Sequence, residues 1–197
     1  MAQVYGTLEG GREVLLTFDD GPHTKFTPRL LDILKEHRLK GVFFVLGQRV
    51  AVAGGKDIVR RAFEEGHRIG NHTYTHPDLR KLSEAQVRDE LLRTERLIAP
   101  YLGDHKLFRP PYGAHNSTVD KVVRELGYHM VLWSVDSEDW RAERKPSGWI
   151  DVSTSQIRLR GHSVFLCHDI HQTTVANFSA FIEQVKKIPK ANFVAYA

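Results

Sequence analysis

Side chains able to carry out hydrolytic chemistry are gathered into five short clusters. Asp19 and Asp20 stand side by side where an apolar run breaks into Gly21-Pro22. His72 and His76 are separated by Thr73-Tyr74-Thr75, and Arg109 precedes Pro110-Pro111-Tyr112-Gly113. Asp136, Asp139 and Trp140 form a fourth cluster, and His168-Asp169 follows the apolar run Val164-Phe165-Leu166-Cys167.

Each cluster has an ordinary structural reading. Asp-Gly and Gly-Pro are turn formers, two histidines can decorate a loop, Arg-Pro-Pro can simply be a stiff connection, and His168 can be a hydrogen-bonded core residue. The chemical reading asks more of them. Successive side chains at a strand end diverge, so one of two adjacent carboxylates can bind a cation while the other accepts a proton from water. Imidazoles four residues apart share one side of a helical or tightly turned backbone, and neutral imidazole is a common metal ligand. With one carboxylate they make a two-histidine, one-carboxylate set with open positions for water and substrate. Zinc, cobalt, nickel and manganese are all compatible with that set. Prolines stiffen the segment after Arg109, which suits N–H groups aimed at a developing oxyanion. A histidine opposite such a cation can act as general acid, and a nearby carboxylate would raise its pKa.

The elements that must position these groups alternate along the chain. Apolar runs predict strands at Val14–Phe18, Val42–Leu46 (closed by Gly47), Arg68–Asn71, Leu107–Phe108, His129–Val135, Val164–Cys167 and Asn192–Val194. Between them lie helix patterns. Thr27 reads as an N-cap with Pro28 at the first helical position, and Asp57 reads as the cap of a helix carrying Ile58, Ala62 and Phe63. Ser83 and Gln86 form a capping-box pattern ahead of Val87, Leu91, Thr94 and Ile98. Further helices run from Val119 to Leu126 and from Val175 to Val185, while 47–56 and 141–155 read as loops. The repeat predicts an α/β fold, a distorted (β/α)7-8 barrel with parallel strands rather than an open doubly wound sheet. All strand C-termini of such a barrel lie on one face, so the five clusters are expected to meet at one mouth.

The 197 residues suit one domain spanning 1–197. Hydrophobic residues at 41% and charged residues at 26% are ordinary for a globular chain, and no apolar run is long enough to span a bilayer. The net charge of +4 is spread over helical segments, and the densest group, Lys186-Lys187 with Lys190, is interrupted by Pro189. Nucleic acid is therefore not an expected partner. Met1–Tyr5 lacks the basic and apolar regions of a secretory signal. Cys167 is the single cysteine, excluding an internal disulfide, and reads as a small hydrophobe of the barrel wall. His23, His115 and His171 carry no chemical assignment.

Taken in order, Thr17-Phe18-Asp19-Asp20-Gly21-Pro22, His72-Thr73-Tyr74-Thr75-His76, Arg109-Pro110-Pro111-Tyr112-Gly113, Asp136-Ser137-Glu138-Asp139-Trp140 and Leu166-Cys167-His168 resemble the motifs of the NodB-homology polysaccharide deacetylases, carbohydrate esterase family four. The resemblance spans Val14 to Val194. It implies one divalent metal ion, zinc first, held by Asp20, His72 and His76, with Asp19 as general base and Arg109 pairing with it. It implies that the Tyr112 N–H stabilises the oxyanion and that His168, oriented by Asp139, protonates the leaving amine. Trp140, Leu166 and Pro111 would line the substrate site. The expected reaction is hydrolysis of N-acetyl groups on N-acetylglucosamine polymers or oligomers, chitin or peptidoglycan, by a monomer. Such substrates imply an extracellular, periplasmic or cell-wall location. Removal of O-acetyl groups from xylan is the rival within hydrolases, and a non-catalytic carbohydrate-binding protein is the rival from another class. A metal-dependent nuclease or phosphatase would need a phosphate cradle, for which the sequence has no recognisable motif.

Overall fold

The computed structural model describes residues 11–196, which form eight parallel strands and eight α-helices; Met1–Tyr5 lies outside them. The chain runs β1 (Arg12–Asp19), α1 (Phe26–Glu36), β2 (Val42–Val45), α2 (Gly47–Val50), α3 (Gly55–Glu64), β3 (Arg68–Asn71), α4 (Glu84–Ile98) and β4 (Lys106–Phe108). It continues through α5 (Ser117–Glu125), β5 (Tyr128–Met130), β6 (Val135–Asp136), α6 (Gly148–Arg158), β7 (His162–His168), α7 (Gln172–Ala176), α8 (Phe178–Lys186) and β8 (Ala191–Val194).

The strand order is β5-β4-β3-β2-β1-β7-β6, with β8 on β1. One edge of β1 pairs along its length with β7, while the other is shared: Arg12–Leu15 pairs with β8 and Thr17–Asp19 with β2. The two ends of the sheet, β5 and β6, are neighbours in sequence. Residues 131–134 carry the chain across the gap, with the Val131 N–H donating to Phe108 O at 2.8 Å and the Ser134 N–H to Val164 O at 3.0 Å. The barrel is thus completed by chain connection rather than by a continuous ladder, which is the distortion expected of this fold.

Period-two alternation decides which residues face the site. Along β1, Val14, Leu16 and Phe18 point out into the large core shared with the helices, where Phe18 stacks on Phe43 at 4.8 Å. Leu15 belongs instead to a small interior cluster with Val42, Phe44, Leu107 and Val131. By the same alternation Thr17 and Asp19 point inward. On β7, Phe165 and Cys167 join the outer core, so Leu166 and His168 share the inner side. β1 and β7 therefore deliver Asp19 and His168 inward at their C-terminal ends, while the neighbouring Phe18 and Cys167 anchor them outward.

Several sequence expectations shift. Thr27 lies inside α1 and does not cap it; its hydroxyl accepts from the His23 N–H at 2.8 Å and donates to buried Asp169. Asp57 lies in the first turn of α3, whose N-cap is Gly54 at φ +80°. Phe63 is half-exposed, and the buried face of that helix is Val59 and Ala62. The segment 129–135 is two strands rather than one, because its ends pair with opposite edges of the sheet. Gly47 opens a short helix, Val175–Val185 breaks into α7 and α8 at Asn177, and much of 141–155 is α6 rather than loop. The capping box at Ser83 and Gln86 is formed as expected.

Candidate active site

The turn after β1 sends Asp19 and Asp20 in different directions. Asp19 remains extended and is buried, whereas Asp20 adopts a left-handed conformation (φ +74°) that L-residues seldom occupy. Thr73, His76, Tyr112 and Glu138 do the same at φ +72°, +65°, +60° and +56°. Such conformations persist only where surrounding contacts enforce them, and their concentration in four of the five motifs marks these strand-end loops as built for geometry rather than local comfort. Asp169 helps to hold the first turn: it is fully buried against Gly21, where a Cβ would collide with its carboxylate. Burial raises its pKa to about 7, against the opposing hydrogen bond from Thr27.

Asp20 Oδ1 lies 3.5 Å from His72 Nε2 and 3.4 Å from His76 Nε2. One ligand atom from each of the three residues falls within 4.8 Å of the other two. The His72 Nδ1 sits 2.7 Å from Arg109 O. That carbonyl can only accept, so the proton is on Nδ1 and the Nε2 lone pair faces Asp20. Burial lowers the His72 pKa to about 3, outweighing the pull of Asp20, so the ring is neutral at physiological pH. Asp20 Oδ1 is itself buried without a hydrogen-bond partner. A carboxylate oxygen left unpaired between two imidazole nitrogens is costly unless a cation completes it. The donor set fits a divalent metal.

A second Asp-His-His group, Asp139, His168 and His171, has comparable spacing. Its carboxylate differs, because protein donors already fill it. Asp139 Oδ1 accepts from Ser137 Oγ at 3.1 Å and lies 2.6 Å from His168 Nδ1. Its Oδ2 accepts from the His168 N–H at 2.9 Å and from Thr174 Oγ1 at 2.7 Å. Among the described residues, only the first group combines this spacing with an orphaned carboxylate oxygen. For His168, burial disfavours charge, but the Asp139 hydrogen bond and charge, aided by Asp20 and Asp19, prevail and raise its pKa to about 9. Asp139 is lowered, since its hydrogen bonds from His168 and Thr174 together outweigh burial.

Arg109 is fully buried and reaches Asp19 Oδ1 at 2.8 Å, Thr17 Oγ1 at 2.7 Å and Val131 O at 2.9 Å. Its guanidinium also lies 4.3 Å from the centre of the Phe44 ring. Burial raises the Asp19 pKa despite this partner. The other carboxylate oxygen, Asp19 Oδ2, is 3.7 Å from His72 Nε2. Tyr112 sits in a tight turn after buried Pro111, its exposed ring 4.7 Å from that of His76. Leu166 is buried two residues before His168, and Trp140 is half-exposed beside Arg141.

Every residue singled out from sequence thus falls at the same end of the barrel. Comparison with known proteins gives a matching answer: the family model described as polysaccharide deacetylase covers residues 8–131. The chain belongs to the polysaccharide deacetylase family. That match includes Asp19, Asp20, His72, His76, Arg109 and Tyr112 and stops before Asp139 and His168. Longer alignments include the latter region. The peptidoglycan-N-acetylglucosamine deacetylase PgdA of Listeria monocytogenes is 38% identical over 176 residues, covering 89% of this chain and 36% of that protein. A chitooligosaccharide deacetylase of Bradyrhizobium sp. is 39% identical over 167 residues, covering 84% and 74%. The family 4 carbohydrate esterase from Streptomyces lividans, solved with acetate, superposes with a TM-score of 0.77 at 35% identity, covering 90% and 88%. The chain spans less than half the length of the Listeria protein.

Two residues of this polysaccharide deacetylase site carry no role in the sequence reading. Asp169 is one. Glu90 is the other, a buried carboxylate on α4 that receives the N–H groups of Tyr74 and Thr75, both at 2.8 Å. Its signal was present: a carboxylate on the same helical stripe as Val87, Leu91 and Thr94. His171 stands 5.7 Å from His168 between ring centres, and burial lowers its pKa.

Proposed function

We propose that this chain is a metal-dependent N-deacetylase that hydrolyses N-acetyl groups of N-acetylglucosamine-containing glycans and releases acetate. The observation that carries the reading is the orphaned Asp20 Oδ1 between His72 Nε2 and His76 Nε2, with Asp19 Oδ2 3.7 Å from the same His72 nitrogen. Asp19, Asp20, His72 and His76 all come from one chain, so this reading needs no residue from a second copy.

An amide is a weak electrophile with a poor leaving group. Its hydrolysis needs a polarised carbonyl, a nucleophile at neutral pH and a proton for the departing nitrogen. Asp20, His72 and His76 would hold a divalent cation, which would supply Lewis-acid polarisation of the carbonyl and make water more acidic. Asp19 takes the proton from the attacking water at Oδ2, because Oδ1 is held by Arg109. Burial has raised its proton affinity toward what a base requires. The Tyr112 N–H donates to the developing oxyanion. His168, tied through Nδ1 to Asp139, gives its Nε2 proton to the leaving nitrogen. Leu166 and Trp140 bound the space for the acetyl methyl, Trp140 also offers an apolar face to the sugar, and Pro111 lines the same substrate site.

Two nitrogen ligands and one oxygen suit zinc first, and cobalt, nickel and manganese share the compatible chemistry. The test is acetate release from chitooligosaccharides, peptidoglycan and acetylxylan, with and without a chelator and with each metal added back. The proposal expects release from an N-acetylated glycan that stops with chelator and returns with metal. Release from acetylxylan alone would replace it with the esterase reading. Glycan binding without acetate release would replace it with a carbohydrate-binding protein.

A further inference from the structure

The loop that presents the two histidines has one hydrogen bond of its own, from the His76 N–H to Thr73 Oγ1 at 3.1 Å, and takes its other holding contacts from outside. Thr73 and His76 both occupy left-handed backbone conformations, and the loop from His72 to His76 lacks regular secondary structure. Its contacts with neighbouring elements, added to that single internal bond, therefore fix the separation of the imidazoles. On one side, the N–H groups of Gly47 and Gln48 in α2 donate to Thr73 O at 3.0 Å and Tyr74 O at 3.1 Å. Below, Asn71 Oδ1 accepts from the Thr73 N–H at 2.9 Å. On the other side stands Glu90. Its Oε2 accepts from both the Tyr74 and Thr75 N–H groups at 2.8 Å, and its Oε1 accepts from Thr75 Oγ1 at 2.7 Å.

Glu90 is 8% exposed on the apolar stripe of α4. A buried carboxylate needs hydrogen-bond donors to be tolerated there, and here all three come from the middle of one metal-ligand loop. We infer that Glu90 is a positioning residue for the cation site: it clamps Tyr74 and Thr75 so that His72 and His76 meet Asp20 at the spacing a divalent ion requires. This rests on the metal-site reading above. Outer partners of metal ligands typically alter affinity by about 10- to 100-fold when removed.

The role is geometric, so the side chain's shape and acceptors matter more than its charge. Glutamine in the same rotamer keeps an oxygen for the two N–H groups, and its amide N–H can donate to the Thr75 hydroxyl, which then accepts. Leucine fills similar space but leaves both N–H groups without an acceptor. The exposed Thr75 gives a milder probe, since Thr75→Val removes one of the three bonds without entering the core.

The test is titration of metal-stripped protein with zinc against a competing chelating indicator, for wild type, Glu90→Gln, Glu90→Leu and Thr75→Val. Melting temperatures of the metal-free forms are read alongside. The expected result is one tight site in wild type and an affinity within about threefold for Glu90→Gln. Glu90→Leu loses about 10- to 100-fold, and Thr75→Val a smaller factor. A purely structural role would lower the metal-free melting temperature and leave the affinity of folded protein unchanged, so a folded Glu90→Leu that binds zinc as tightly as wild type overturns the inference alone. Should Glu90→Leu fail to fold, wild-type affinity in Thr75→Val overturns it. Absence of a zinc site in wild type would overturn the metal reading and this inference together.

Discussion

Asp139 accepts from the backbone N–H of His168 at 2.9 Å and lies 2.6 Å from the same residue's Nδ1, so one carboxylate fixes both the main chain and the ring. Thr174 and Ser137 complete its coordination, and Asp139 is fully buried. The pair accounts for a histidine that remains protonated well above neutral pH.

The first prediction concerns that proton. His168 acts in its charged form, and its pKa is raised from 6.5 to about 9, with Asp139 overcoming the burial penalty. In wild type, kcat/KM should therefore fall only as pH rises through about 9. Asp139→Asn removes the charge and leaves burial dominant, so the alkaline limb should move below 6.5. The same raised pKa contributes to folding stability fully below pH 6.5, and that contribution disappears as pH climbs through about 9. Denaturant midpoints across this window should fall in wild type and stay flatter in the variant.

Asp19→Asn keeps the size of the side chain and removes the base. Acetate release should drop by about 100- to 10,000-fold. Zinc affinity, measured by the same competitive titration, should stay within a few-fold, since Asp20 rather than Asp19 holds the central unpaired oxygen. A variant that loses both together would mean that Asp19 is a ligand.

Arg109→Leu tests the buried pair. Removing the guanidinium leaves the Asp19 carboxylate without its partner in the barrel interior, which costs about 3–5 kcal/mol. For a domain of this size that lowers the melting temperature by on the order of 10 °C. The Asp19 pKa, already raised by burial, should rise further, so the acid limb of any residual activity should move to higher pH.

Trp140→Ala should leave stability within about 0.5 kcal/mol, because the side chain is half-exposed. Loss of an apolar face for the sugar should raise KM on oligomers more than it lowers kcat. Equal loss in kcat and kcat/KM would place Trp140 in transition-state stabilisation instead.

Much of this arrangement is legible in the chain because it follows period-two alternation at strand ends. Leu15, Thr17 and Asp19 face one way and Val14, Leu16 and Phe18 the other, so the residues that break an apolar run at its C-terminal end must arrive at one mouth. What escapes the sequence depends on tertiary partners. Thr27 looks like an N-cap until Asp169 claims its hydroxyl. Helix α6 hides behind Ser153, Thr154 and Ser155, residues poor at forming helices in isolation; here the Ser153 and Thr154 hydroxyls donate to Trp149 O at 2.7 Å and Ile150 O at 3.0 Å. The break between β5 and β6 has no local marker, since it arises where the two ends of the sheet face one another. Glu90 and Asp169 act through groups far away in sequence, and only the folded chain reveals that both hold strand-end loops in shape.

The central claim is that Asp20, His72 and His76 hold one divalent cation. X-ray absorption on stripped protein reloaded with one equivalent of zinc tests it most directly. The account predicts a single site whose protein ligands are two imidazoles and one carboxylate oxygen at about 2.0–2.2 Å, with one imidazole lost in His76→Ala. A spectrum unchanged by His76→Ala, or zinc that washes away as from an adventitious surface, would contradict it.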